Sequence, residues 1–257
     1  MDKSLHSLDH HFNLPHVHRV DAARPLRWLR LGGSDLRANA FASLAYGVFF
    51  AVLGYLIMAF AAERPYLFTA SVSGFFLIGP LAAAGLYEIS RRHAAGQPAG
   101  LGASMRGMLG HHDALLSIGV VLVMVAIAWE RASAILFALL VPDAAVGVSE
   151  FFRQVFLSGE YLGFIAAYVV IGGVIAAVVF ACTAVAVPML MDRDTDTVTA
   201  MMTSLRAVST NLPAMLLWAA LIVVLIAIGF ATMMIAMVVL LPLVGHASWH
   251  AYKDLVE

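Results

Sequence analysis

Gly74–Arg92, GFFLIGPLAAAGLYEISRR, is the stretch that decides the fold. It is an apolar run with one proline, a Tyr-Glu pair near its end and two arginines that stop it. Extended back to Tyr66, it is long enough to cross a bilayer core, which takes roughly 20 apolar residues. Counted from Pro80, the residues Ala84, Tyr87, Glu88 and Arg91 stand at offsets of 4, 7, 8 and 11 and share one helix face. The far end of the chain repeats the arrangement. Pro242 is followed at the same four offsets by His246, Trp249, His250 and Lys253.

Composition sets the class. Of 257 residues, 62% are hydrophobic and 12% charged, whereas soluble domains carry about 25% charged residues. Mean hydropathy is +0.90. These values predict an all-α polytopic membrane protein. A net charge of -1 without a basic block gives nucleic acid no footing. The single Cys182 lies in an apolar run, forms no intramolecular disulfide and reads as a small packing residue. No short apolar core precedes a small-residue cleavage site, so the first membrane helix is expected to act as the insertion signal.

Residues 1–22 read as a mobile cytoplasmic tail holding His6, His10, His11, His16 and His18. Imidazoles at this density suit a transition metal, but no framework fixes a geometry, and incidental solvated histidines are the plainer reading. Residues 23–257 read as one transmembrane domain. Spans are expected near 41–62, 66–90, 114–130, 161–187, 213–229 and 232–250. Short interfacial helices are expected near 25–38, 101–109, 149–158 and 197–210. In the first of these, arginines alternate with Trp28 and leucines, a pattern suited to the headgroup layer. Residues 213–249 would form a helix near 55 Å long, too long for one crossing, hence the split near 229–232. Residues 133–141 are too short to span alone and either extend the third helix or dip back. The Trp129-Glu130-Arg131 sequence marks an interface with a local ion pair. The Asp192–Asp196 run lacks the glycine and distal glutamate of a calcium loop and reads as helix-capping.

Three segments match one another: Gly33–Ala38 (GSDLRA), Gly102–Gly107 (GASMRG) and Met202–Ala207 (MTSLRA). Each precedes a hydrophobic hairpin whose second helix carries a late proline, Pro80, Pro188 or Pro242. The chain thus divides into three hairpin units, each preceded by a short interfacial helix. With six spans, 12 of the 15 basic residues fall on one side, which places both termini in the cytoplasm; five spans would move only Lys253 to the other side, so the charges fit both counts.

Four stretches together resemble a bacterial family of integral membrane proteins, domain of unknown function 2189. They are Pro25–Leu29 with Asp35–Arg37, Gly74–Arg92, Pro188–Arg193 and Pro242–Tyr252. The resemblance covers about residues 15–255 and implies a multi-pass protein of the bacterial inner membrane. It implies no activity. Some members carry an oxidase-subunit label, which needs histidine ligands over several spans, and the spans here offer only His246 and His250.

The candidate polar cluster is Tyr87, Glu88, Arg91, His246, Trp249 and His250. If the two proline-bearing helices pack together, Glu88 is expected to reach His246 or His250. The reading this supports is a non-enzymatic, transporter-like or scaffold component, partnered by the lipid bilayer and by another membrane protein or a second copy. The alternative is a metal- or haem-binding respiratory accessory, with His246 and His250 at i and i+4 on one helix face. No nucleophile elbow, phosphate loop or zinc-protease signature is present, and no cofactor is indicated.

Overall fold

The computed structural model describes residues 14–61, 71, 79–81, 83–141, 151 and 153–256. Its helices are α1 Arg24–Ala38, α2 Ala40–Ala61, α3 Ala84–Ala94, α4 Leu101–Gly110 and α5 His112–Leu140. After a π-helical turn, Arg153–Leu157, come α6 Leu162–Thr183, α7 Ala186–Asp192, α8 Thr197–Thr210, α9 Leu212–Ala231 and α10 Met237–Leu255. No strand occurs among the described residues; the one β-bridge joins Val17 to Val256.

Among the described residues, four stretches are long and apolar enough to cross a membrane: Ala40–Ala61, His112–Leu140, Leu162–Asp192 and Leu212–Ala231. No more than 28% of the most apolar window of each is buried. Phe41, Phe60, Met124, Ile127, Val169 and Val224 stand among the exposed large side chains. In water this surface would be untenable; against acyl chains it is the expected exterior.

The expected second span, 66–90, falls largely outside the described residues, which give only its end, α3 and the turn before it. The expected sixth span corresponds to α10, where the chain turns over residues 232–236 with Met233 and Met234 at positive φ. The second half of α10 is polar and mostly buried, so α10 is not among the four apolar helices. The helix of the third expected span, α5, does not stop near residue 130: residues 133–140 extend it to Leu140, 29 residues in all. Glu130 and Arg131 pair within it at 2.6 Å. Of the interfacial helix expected over 149–158, residues 149, 150 and 152 lie outside the described set, and 153–157 form the π turn.

Prolines shape the packing. Pro188 has no N–H to give to Ala184, and the chain breaks there between α6 and α7. Ser204 of α8 repairs the gap: its hydroxyl donates to the Ala181 carbonyl at 2.8 Å and accepts from the Val185 N–H at 3.1 Å. The three helices that follow or contain these prolines, α3 after Pro80, α7 with Pro188 and α10 with Pro242, contact one another at the centre. Each is flanked by a short helix: α3 by α4, α7 by α8, and α10 by α1. The last pairing brings the end of the chain back onto its beginning.

That closure is chemically specific. Arg24 grips Asp254 with Nε at 2.6 Å and Nη2 at 2.9 Å, and the Trp28 indole N–H donates to the same carboxylate at 2.8 Å. Asn211 receives the Val20 N–H and donates to the His18 carbonyl. Val17 is buried. Of the tail expected over residues 1–22, residues 1–13 lie outside the described residues, while His18 and Val20 bond to Leu255 and Asn211. At the other end of the bundle, Phe137, Phe151, Phe164 and Tyr168 cluster where α5, α6 and the π turn meet. Trp129 is buried edge-on against Tyr168 rather than anchored at an interface, and Gly172 makes room for it.

Candidate functional site

Four helices bring polar side chains to one buried point. His246 of α10 has no exposed surface. Its Nδ1 lies 2.8 Å from the Ser90 hydroxyl of α3, and its Nε2 lies 2.8 Å from the Ser43 hydroxyl of α2. Ser90 donates its only proton to Asp35 Oδ2 of α1 at 2.5 Å. Its oxygen must then accept from His246 Nδ1–H, which leaves Nε2 to accept from Ser43. The hydrogen bonds thus fix His246 as the neutral Nδ1–H tautomer.

Asp35 is the hub. Besides Ser90 it accepts from His250 Nε2 on Oδ2 and from His93 Nδ1 on Oδ1, each at 2.9 Å. Burial pushes its carboxyl upward, but the hydrogen bonds from His250, Ser90 and His93 outweigh this and hold it down at about 2. His93 and His250 are partly exposed, while Ser90, His246 and Ser43 are sealed in. The cluster therefore runs from the surface inward.

Local sequence explains the placement. Trp28, Gly32 and Asp35 follow at helical spacing on the inward face of α1. A Cβ at Gly32 would lie 2.6 Å from the Ala247 nitrogen, so only glycine lets the α1 and α10 backbones approach there. On the facing helix, Gly245 likewise admits Leu86, against which a Cβ would stand 2.6 Å away. That contact turns Leu86, and Ser90 one turn later, toward α10.

The same rotation carries Glu88 away. It lies about 200° around the helix from Leu86, buried against Gly107 of α4. Its oxygens are taken by Arg91 at 2.7 and 2.9 Å and by Arg92 at 2.7 Å. The expected contact between Glu88 and His246 or His250 is not made, although α3 and α10 do pack together. Tyr87 is buried and bonded to the Ser248 side chain. Trp249 is buried against Tyr252. The cluster expected from the sequence is thus three sites: Glu88 with Arg91, Tyr87 with Ser248, and the histidine centre. Asp35, Ser43, Ser90 and His93, which sequence reasoning passed over, complete the last.

His246 and His250 do not aim at a common point. Both ring nitrogens of His246 are engaged by serines, and His250 turns to Asp35. Among the described residues no group of three His, Cys, Asp or Glu side chains is arranged to hold a metal ion. Of the tail histidines, His6, His10 and His11 lie outside the described residues, and His16 and His18 meet edge-on at 5.0 Å. The Asp192–Asp196 loop does cap: Asp196 accepts the Thr199 N–H at 2.9 Å, and Asp192 holds Tyr252 and Lys253.

The order Ser43, His246, Ser90, Asp35 has the polarity of a general-base relay. Ser43 and His246 nevertheless have no exposed surface, so this conformation admits no substrate to the hydroxyl. What the arrangement does here is join α1, α2, α3 and α10 through groups that would be costly to bury singly.

An exterior suited to lipid and a polar centre between its helices define an all-helical integral membrane protein. Residues 67–192 match the family described as "Predicted integral membrane protein (DUF2189)". The match takes in α3 to α7; Asp35, His246 and His250 lie beyond it. No curated protein and no solved structure matches the chain.

Proposed function

We propose that the protein is a non-enzymatic component of the bacterial inner membrane, transporter-like or scaffolding, with six spans in three hairpin units and both termini cytoplasmic. The observation that carries this reading is the sealed centre around Asp35 and His246. Ionisable groups buried in a membrane bundle are costly and serve an interior role, and here they link four helices, with the Ser43 hydroxyl and both His246 ring nitrogens closed to a substrate. Three features support the topology: the apolar half of α10, the turn at 232–236 and the distribution of basic residues. The three-unit reading draws support from Ser104 and Ser204. These residues hold matching places in two of the repeated segments, and each donates to a carbonyl of the preceding proline-bearing helix, Gly85 or Ala181. Asp35 holds the third such place and meets α10 through His250.

Reporter fusions at Lys253 and near Thr232 test the topology. The reading expects opposite sides, with Lys253 cytoplasmic; the same side for both would remove the sixth span. Purification in mild detergent tests the role. A partner subunit or a second copy of the chain is expected to co-purify. Turnover of any substrate lost on Ser43→Ala would contradict a non-enzymatic role.

A further inference from the structure

The hydrogen bonding of α1 sorts its arginines into two kinds. Arg24 turns inward to Asp254. Arg27, Arg30 and Arg37 are exposed on the opposite face, and none has a hydrogen-bond or ion-pair partner among the described residues. Nearby carboxylates are committed elsewhere. Asp21 accepts the Ala23 N–H, Asp35 is filled by Ser90, His93 and His250, and Asp254 by Arg24 and Trp28, with only the field of Arg27 reaching it. Three guanidiniums, each able to grip an oxyanion in a bidentate fork, thus line one face of α1.

The setting identifies the anion. Asn39 alone separates α1 from α2, whose outer surface is apolar from its first turn, with Phe41 83% exposed. Leu26, beside Arg27, is also exposed. A cationic stripe flanked by bare apolar side chains and continuous with a lipid-facing helix matches a phosphate above acyl chains rather than a soluble acidic partner. We propose that Arg27, Arg30 and Arg37 form a binding surface for anionic phospholipid headgroups. This rests on the reading of α1 at the cytoplasmic membrane surface, which the reporter fusions test separately.

The full chain, purified in a neutral detergent, is to be melted with dioleoylphosphatidylglycerol, with dioleoylphosphatidylcholine and with glycerol phosphate. Phosphatidylglycerol is expected to raise Tm by about 5 °C, and phosphatidylcholine by far less. In Arg27→Gln/Arg30→Gln/Arg37→Gln, whose changes lie on an exposed face, most of the phosphatidylglycerol increment should vanish while the Tm without lipid stays put. Equal increments in the variant and the wild type would overturn the proposal. So would equal increments from the two lipids. Full stabilisation by glycerol phosphate alone would show a soluble-anion site instead. Should the triple variant fail to fold, Arg30→Gln alone carries the comparison, with a partial loss expected and no loss contradicting the site.

Discussion

Gly47 of α2 lies directly under the carbonyl oxygen of Val238, the acceptor that Pro242 leaves without its helical donor. A Cβ at Gly47 would stand 2.0 Å from that oxygen. The proline therefore does more than bend α10. It frees a carbonyl, and glycine on the neighbouring helix lets the two backbones close over it.

Gly47→Ala should accordingly force α2 and α10 apart and destabilise the protein by about 1–3 kcal/mol, the usual range for overpacking. Gly163→Ala supplies the control, since a Cβ there meets nothing within 4 Å. Denaturation of both variants in detergent checks this; equal stability would mean that α2 and α10 do not approach at Gly47.

Ser204→Ala removes two hydrogen bonds at the break between α6 and α7 and leaves the buried Val185 N–H without a partner. A loss of about 1–3 kcal/mol is expected. Ser104→Ala should also be destabilising, because it strips the donor from the Gly85 carbonyl. A thermal melt of each variant reads this out, and a neutral Ser204→Ala would show that the break is satisfied without it.

Asp35 gives the protein an acid limit. Its carboxyl is held below its ordinary value of 3.8, at about 2. The associated stability is therefore present above about pH 4 and is lost as pH falls from there through about 2. The amount at stake is on the order of 2 kcal/mol. Unfolding midpoints measured from pH 6 to pH 2 should fall less steeply in Asp35→Asn, which has no proton to take up. Parallel curves would mean that Asp35 keeps the same affinity for protons in the unfolded chain.

Much of the fold is legible in the residues. The matched segments around Asp35, Ser104 and Ser204 lie in the short helices α1, α4 and α8, and the length of 213–249 calls for the turn observed at 232–236. Helix rotation was not legible. Shared offsets from Pro80 and Pro242 indicate that α3 and α10 carry polar faces, but Gly245 against Leu86 decides which side of α3 meets α10. A contact of that kind involves residues some 160 positions apart and leaves no local pattern. Asp35 was hidden for a related reason. Among the arginines of α1 it reads as a solvated charge, and only its spacing from Trp28 and Gly32 hints that it faces inward.

The central claim is that Asp35 and the histidines of α10 form one coupled centre, separate from Glu88. Two double-mutant cycles in detergent test it most directly: Asp35→Asn with His250→Gln, and Glu88→Gln with His250→Gln. Residues in one hydrogen-bond network couple by about 0.5–3 kcal/mol, whereas distant pairs add within about 0.5 kcal/mol. The account predicts coupling of at least about 1 kcal/mol in the first cycle and additivity in the second. Additivity between Asp35 and His250, with coupling between Glu88 and His250, would contradict it.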